Sequence, residues 1–161
     1  MILIALGSNI SGPWGTPTQT VERAFHELNR DGIMLVQSSR LIVTAPYGKS
    51  NQPDFINAMA YVQSHLPPLA LLKKLHAIEK RAGRRRALRW GPRTLDLDII
   101  DYNGRVLNSP KLSLPHPGIA DRIFVLKPIA EMQFRWRHPV LRQSAPQLLR
   151  RLRGFTEGHE I

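Results

Sequence analysis

Two amphipathic stretches, each opened by proline and closed by glycine, constrain this chain more than any other feature. Thr16-Pro17 reads as a helix start, because proline suits the first helical position and threonine can cap it. Val21, Ala24, Phe25 and Leu28 follow at helical spacing, and Gly32 closes the segment. Pro67-Pro68 opens the second stretch; Leu72, Leu75, Ile78, Glu79 and Ala82 share one face of it, and Gly83 ends it. Extended runs surround both. Residues 1–6 are apolar and stop at Gly7-Ser8-Asn9, residues 33–43 are β-branched and apolar around Gln37-Ser38-Ser39, and residues 55–62 read as a further strand. Leu95, Leu97 and Ile99 alternate with Asp96, Asp98 and Ile100, which predicts a strand with two unlike faces. The order is strand, helix, strand, strand, helix, strand, the split βαβ pattern of an α+β, ferredoxin-like βαββαβ core.

Additions to that core are expected after it. Asn103-Gly104 is a hairpin signal, so residues 105–108 should return beside the preceding strand. A third helix is expected near residues 119–127, and a fourth from about Ser144, carrying Leu148, Leu149 and Leu152. Residues 45–54 hold prolines, a glycine and polar side chains and read as a loop; residues 84–93 are basic and irregular. With no repeat and no linker, residues 1–161 are expected to form a single domain. Cysteine is absent, which excludes disulfides and thiolate metal sites and suits a reducing compartment. The first residues lack a positive segment, and no apolar run reaches membrane-spanning length, so the expectation is a cytoplasmic protein with no membrane partner; a monomer is expected as well. An excess of 23 Lys+Arg over 12 Asp+Glu gives a formal charge of +11, which favours anionic partners without choosing among nucleic acid, membrane and polyphosphate.

Asp96-Leu97-Asp98 narrows the choice. Side chains at i and i+2 of a strand share a face, roughly 7 Å apart along the chain. Two carboxylates so placed can hold Mg2+, which takes oxygen ligands, keeps waters and bridges carboxylates to substrate phosphates. A bare pair of this kind more often solvates an exposed face. Here Arg93 precedes it, and Arg84, Arg85, Arg86 and Arg89 stand just upstream, interrupted by Trp90-Gly91-Pro92. Arginine forks beside a two-carboxylate site suit a polyphosphate.

The run Arg89-Trp90-Gly91-Pro92-Arg93-Thr94-Leu95-Asp96-Leu97-Asp98 resembles the signature of the 6-hydroxymethyl-7,8-dihydropterin pyrophosphokinase family of folate biosynthesis. Ala5-Leu6-Gly7-Ser8-Asn9, Thr44-Ala45-Pro46, Gln52-Pro53-Asp54-Phe55-Ile56-Asn57-Ala58, Leu114-Pro115-His116 and Arg122-Ile123-Phe124 extend the resemblance over residues 2–131. It implies transfer of pyrophosphate from ATP to the reduced pterin alcohol, giving AMP and the pterin diphosphate, with two Mg2+ ions bound by Asp96 and Asp98. Arg84 and Arg93 join those aspartates as implied catalytic residues. Implied ATP contacts are His76, Glu79, Arg84, Trp90, Arg93, Ile99, Lys111, Leu112, Ser113, His116 and Arg122. On the pterin side the resemblance implies Thr44, Ala45, Pro46, Tyr47, Asn57, Trp90 and Asp96, with Phe55 and Phe124 sandwiching the ring. Departures are also present. Residues 83–90 form a stretch about one residue shorter than in familiar members, so the family's second loop arginine matches either Arg85 or Arg86. Residues 9–20 are rich in glycine and proline, and Tyr47 replaces a smaller aliphatic side chain.

Two other readings compete. A basic ferredoxin-like sheet could be an RNA-recognition module, but the K/R-G-F/Y-G/A-F-V-x-F/Y pattern is missing and the paired aspartates would repel phosphate, so no nucleic-acid partner is expected. A paralogue with the same fold and another pterin substrate is the remaining alternative.

Overall fold

The computed structural model describes residues 1–46, 51–84, 93–132 and 135–159, side chains of 153–159 excepted. Strands β1 (Ile2–Ser8), β2 (Ile33–Ser38), β3 (Ile42–Thr44), β4 (Phe55–Ser64) and β5 (Asp96–Tyr102) form one sheet; β6 (Leu107–Asn108) and β7 (Ser113–Leu114) form another. The helices are α1 (Pro17–Glu27), α2 (Pro68–Arg81), α3 (Ile123–Glu131) and α4 (Ala145–His159). The main sheet runs β2-β4-β1-β5, with β3 also on β4, and all its pairs are antiparallel. The molecule is thus α+β.

Local chemistry accounts for the helix ends. Thr16 Oγ1 accepts the Gln19 N–H at 3.2 Å while Gln19 Oε1 accepts the Thr16 N–H at 2.9 Å, a reciprocal capping box ahead of Pro17. The second helix has no side-chain cap and relies on Pro68 at its first position. Gly83, at φ +89°, then turns the chain out of it.

Strand alternation splits the core in two. Ile2, Ile4 and Leu6 of β1, with Leu97 and Ile99 of β5, pack against Val21 and Ala24 of α1 and Leu71, Leu75 and Ile78 of α2. Leu3, Met59 and Ile100 face the other way, onto Val125, Leu126 and Ile129 of α3 and Leu148 and Leu149 of α4. The central strand β1 is therefore buried on both faces. A bulge breaks the alternation at the far end of β5. Leu3 lies opposite Asp101 and Ile4 opposite Ile99, so Ile100 is the extra residue. Ile100 and Asp101 consequently both serve the α3–α4 side, where Asp101 Oδ2 accepts the Trp136 Nε1–H at 2.8 Å.

The structure corrects two expectations. The Asn103-Gly104 turn forms, with both residues at positive φ and the Arg105 N–H reaching the Tyr102 carbonyl at 2.9 Å. Yet residues 105–108 do not return along β5: Leu107 and Asn108 pair with Leu114 and Ser113. The Ile100 carbonyl instead accepts the His116 N–H at 2.9 Å, so a later segment takes a place on the β5 edge. The third helix is also interrupted. A 3-10 turn at Ile119–Asp121 precedes α3, and Arg122 between them has extended backbone, φ −122° and ψ 105°.

Candidate active site

The α3 side of the sheet is left partly bare where β1 ends and β4 and β5 begin. The register explains the gap. Gly7 lies between Asn57 and Asp96, and Ala5 between Met59 and Asp98, so the centre of the floor carries one hydrogen and one methyl. A Cβ at Gly7 would stand 2.8 Å from Asn57 Oδ1, so glycine is what lets Asn57 lie across the floor. The resulting pocket, about 140 Å³, is lined by Thr44, Phe55 and Asn57 on one side and Asp96, Asp98 and Arg93 on the other, with Arg122, Phe124 and Val125 above. A cavity of roughly 150 Å³ accepts one aromatic ring.

Most of the expected pterin-side residues meet here. Thr44, Ala45, Phe55, Asn57, Asp96 and Phe124 all line the pocket. Asn57 Nδ2 donates to Thr44 Oγ1 at 2.6 Å, which ties β4 to β3 and sets the amide's orientation. The Arg122 guanidinium lies 5.9 Å from the centre of the Phe124 ring. Pro46 is half-buried beside Ala45 but does not line the cavity. Tyr47, Trp90, Arg85, Arg86 and Arg89 lie outside the described residues.

On the expected nucleotide side, Arg93 and Arg122 line the pocket and Arg84 reaches its edge: Nη1 lies 3.0 Å from Asp96 Oδ1 and also pairs with Glu79 Oε2. Glu79 is buried, and the same Oε2 accepts the Leu97 N–H at 2.8 Å, between the two aspartates. His116 Nδ1 accepts the Gly118 N–H at 3.0 Å, so in the neutral ring the proton sits on Nε2, available as a donor. His76 lies on the exposed face of α2; Lys111 and Ser113 are exposed and Leu112 half-buried. Ile99 points away from the pocket into the α1–α2 core, which leaves only its backbone for a ligand.

Charge is unevenly matched. Burial, then the neighbouring Asp96 and Glu79 charges, push the Asp98 carboxyl up to about 7 against the partial relief of Arg122 and Arg84. Burial raises Glu79 to about 7, although the Leu97 N–H and Arg84 oppose it. Burial and Arg122 hold His116 below the usual imidazole range. Among the described residues, Asp96 and Asp98 of the pocket and the buried Glu79 behind them stand close together, Arg84 and Arg122 relieve Asp98 only in part, and a divalent cation would relieve it further. Among the described residues no group of three or more His, Cys, Asp or Glu side chains could hold a metal by itself. Two hard carboxylates fit Mg2+, which is commonly bound through one or two carboxylates together with substrate phosphates.

Sequence reasoning missed the floor and its border. Ala5, Leu6, Gly7, Ile100 and Val125 line the pocket, and Asn9 is buried at its rim. Small residues at alternate positions of an apolar strand were the available signal for Ala5 and Gly7. They carry no chemistry of their own and act by leaving space.

The 7,8-dihydro-6-hydroxymethylpterin-pyrophosphokinase family matches residues 3–134. A Pseudomonas aeruginosa protein named 2-amino-4-hydroxy-6-hydroxymethyldihydropteridine pyrophosphokinase is 42% identical over 131 residues, covering 81% of this chain and 79% of that one. A Haemophilus influenzae protein of the same name is 38% identical over 130 residues, 80% of this chain and 79% of that one. The mitochondrial folate synthesis bifunctional protein of Arabidopsis thaliana is 39% identical over 131 residues, 81% of this chain and 23% of the longer plant protein. A family match that runs through the whole pocket, joined by relatives at this identity, means that the chain belongs to the 7,8-dihydro-6-hydroxymethylpterin-pyrophosphokinase family.

Proposed function

We propose that this protein transfers the diphosphoryl group of ATP to 6-hydroxymethyl-7,8-dihydropterin, producing AMP and the pterin diphosphate for folate synthesis. The observation that carries the reading is the pocket itself: a cavity of about 140 Å³ whose lining includes Phe55, Phe124, Asn57, Asp96 and Asp98. Aromatic faces suit a planar heterocycle, and an amide can read its edge. The substrate's hydroxymethyl oxygen would then point toward the carboxylates. Asp96 and Asp98 would hold two Mg2+ ions, which supply charge neutralisation for the phosphates in an in-line displacement.

The chain's own residues do the rest. Phe55 and Phe124 fix the plane of the ring, and Asn57, held by Thr44, fixes its rotation. Arg93, Arg122 and Arg84 bind phosphate oxygens, and the protonated Nε2 of His116 donates to another. The pterin hydroxyl oxygen forms a bond to the β-phosphorus as the bond from that phosphorus to the α–β bridging oxygen breaks; the bridging oxygen leaves with AMP, and the hydroxyl proton passes to solvent. Arg84, paired with Glu79 and Asp96 in this structure, would turn toward phosphate as it binds. The sheet is read as ferredoxin-like, supported by the βαββαβ order, the central β1 and the placement of α1 and α2 on one face.

Incubation with ATP, Mg2+ and the reduced pterin alcohol should yield AMP and pterin diphosphate in equal amounts. Stoichiometric ADP with a pterin monophosphate would replace this reading with attack on the γ-phosphorus.

A further inference from the structure

Asn9 directly follows the central strand and does not itself line the pocket, yet it is bonded to the chain on each side of it. Its Oδ1 accepts the Arg93 N–H at 2.7 Å, and its own N–H donates to the Arg93 carbonyl at 3.0 Å. The two hydrogens of Nδ2 go the other way, to Gln52 Oε1 at 2.9 Å and to the Pro53 carbonyl at 3.1 Å. Arg93 lines the phosphate side of the pocket, and Phe55, two residues beyond Pro53, lines the pterin side. The side chain is 2% exposed, so water does not substitute for these partners.

The chemistry of the residue matches the task. One acceptor and two donors on a short planar group are what this site uses, and only asparagine provides them at that length. Aspartate has no donors, serine has one, and glutamine would place its amide about one bond further out. The adjacent turn adds rigidity: a Cβ at Gly12 would lie 3.0 Å from Thr94 Cγ2 and 3.1 Å from the Ala82 carbonyl, so this turn is packed against the chain on both flanks of the arginine-rich segment.

We propose that Asn9 is a positioning residue that couples the two halves of the site, so that Arg93 and Phe55 keep a fixed relation and occupation of one half favours occupation of the other. The inference rests on the proposed function. It predicts a coupling free energy between nucleotide and pterin that passes through one amide. Displacement of Arg93 or Phe55 by a fraction of an ångström would spoil the in-line geometry without removing any group that touches substrate.

The test measures four affinities by calorimetry: the pterin alcohol and the Mg2+ complex of a non-hydrolysable ATP analogue, each alone and each with the other bound. Turnover and thermal melting are followed in parallel. In Asn9→Ala the coupling factor should fall toward one, and kcat should drop on the order of 100-fold, while single-ligand affinities change far less. Asn9→Asp keeps the acceptor for Arg93 and removes both donors, including the one to the Pro53 carbonyl, which can offer nothing in return. It should keep nucleotide affinity and lose coupling, and it carries the test if Asn9→Ala fails to fold. A folded variant with wild-type coupling and kcat overturns the inference. So does one in which only melting temperature and both KM values suffer, since that is the mark of a merely structural residue. Wild-type protein that neither binds the pterin nor releases AMP would overturn the proposed function, and this inference with it.

Discussion

Two buried glutamates near the ends of neighbouring helices meet opposite fates. Glu27 of α1 is 5% exposed and is surrounded by Arg23, Arg30 and Arg81 at 3.1, 3.3 and 3.1 Å. Burial alone would raise its carboxyl, but hydrogen bonds from Arg23 and Arg81 and the charges of Arg30 and Arg81 overcome it and bring it below the usual range. Glu79 of α2 is buried at 4% and shares Arg84 with Asp96. Burial dominates there, and the group rises to about 7. Both side chains are covered, but Glu79 lies far deeper in the protein, so burial wins over Arg84 there while the three arginines win over burial at Glu27. The first cluster is closed, with more cations than its carboxylate needs. Among the described residues the second shares Arg84 between two carboxylates, an arrangement that suits the proposed binding of Mg2+ and phosphate.

The sharpest way to break that contrast is to remove Asp98. Asp98→Ala should lower turnover by more than the roughly 100-fold typical of changes around a metal's outer shell, because on the proposed function a direct Mg2+ ligand is lost. The metal-free protein should melt no lower than wild type, since a carboxyl already pushed up to about 7 by burial is no asset to folding at neutral pH. A large fall in melting temperature with activity retained would make Asp98 a structural residue.

Glu27→Ala should do the reverse. It removes the carboxylate shared by three arginines that are 49–59% exposed and so partly served by water, and the cost should be about 1–3 kcal/mol of stability in urea melts. Initial rates at saturating substrate should be unchanged. A comparable loss of kcat would mean that the two clusters communicate.

The smallest effect is a slope. Glu79 has a folded pKa above its ordinary value of 4.5, so the native state binds the extra proton. Its contribution is fully present below 4.5 and is lost as pH rises through about 7. Glu27 has the opposite sign: its contribution is present above 4.5 and fades as pH falls through its lowered folded pKa. In the metal-free protein, Glu79→Gln should therefore flatten the decline in stability between pH 4.5 and 7, leaving the acid limb set by Glu27 intact. An unchanged slope would show that Glu79 titrates normally.

Local signals were legible wherever their physics is local. Thr16, Pro17 and Gln19 cap a helix within one turn of chain, so their pattern predicts the start of α1 without reference to anything distant. The Asp96/Asp98 alternation places both carboxylates on one face because strand geometry has a period of two, and the pocket receives both. The family resemblance named Thr44, Phe55, Asn57, Arg93, Arg122 and Phe124, and the fold gathers them from four separate stretches of chain. The hairpin reading had the turn right and the partner wrong, since the choice between residues 105–108 and the segment at His116 is a competition for one strand edge.

The sequence by itself determined the periodicities and the punctuation: which segments wind, which extend, and which side chains share a face. These follow from backbone geometry over a few residues, and packing overrides them only locally, at the bulge around Ile100 and at the extended Arg122 that interrupts the third helix. Tertiary structure alone decided what stands opposite what. Gly7 and Ala5 become a pocket floor only once Asn57, Asp96 and Asp98 flank them. Asn9 joins two halves of a site only because strand β1 ends between Arg93 and Pro53. Asp101 meets Trp136 only through a bulge that upsets the alternation. Glu27 and Glu79 both find arginines within five residues, Arg23 and Arg30 for one and Arg84 for the other; what the one-dimensional pattern does not contain is Arg81, which reaches Glu27 from the other helix, and the depth at which the fold buries Glu79 beside Asp96.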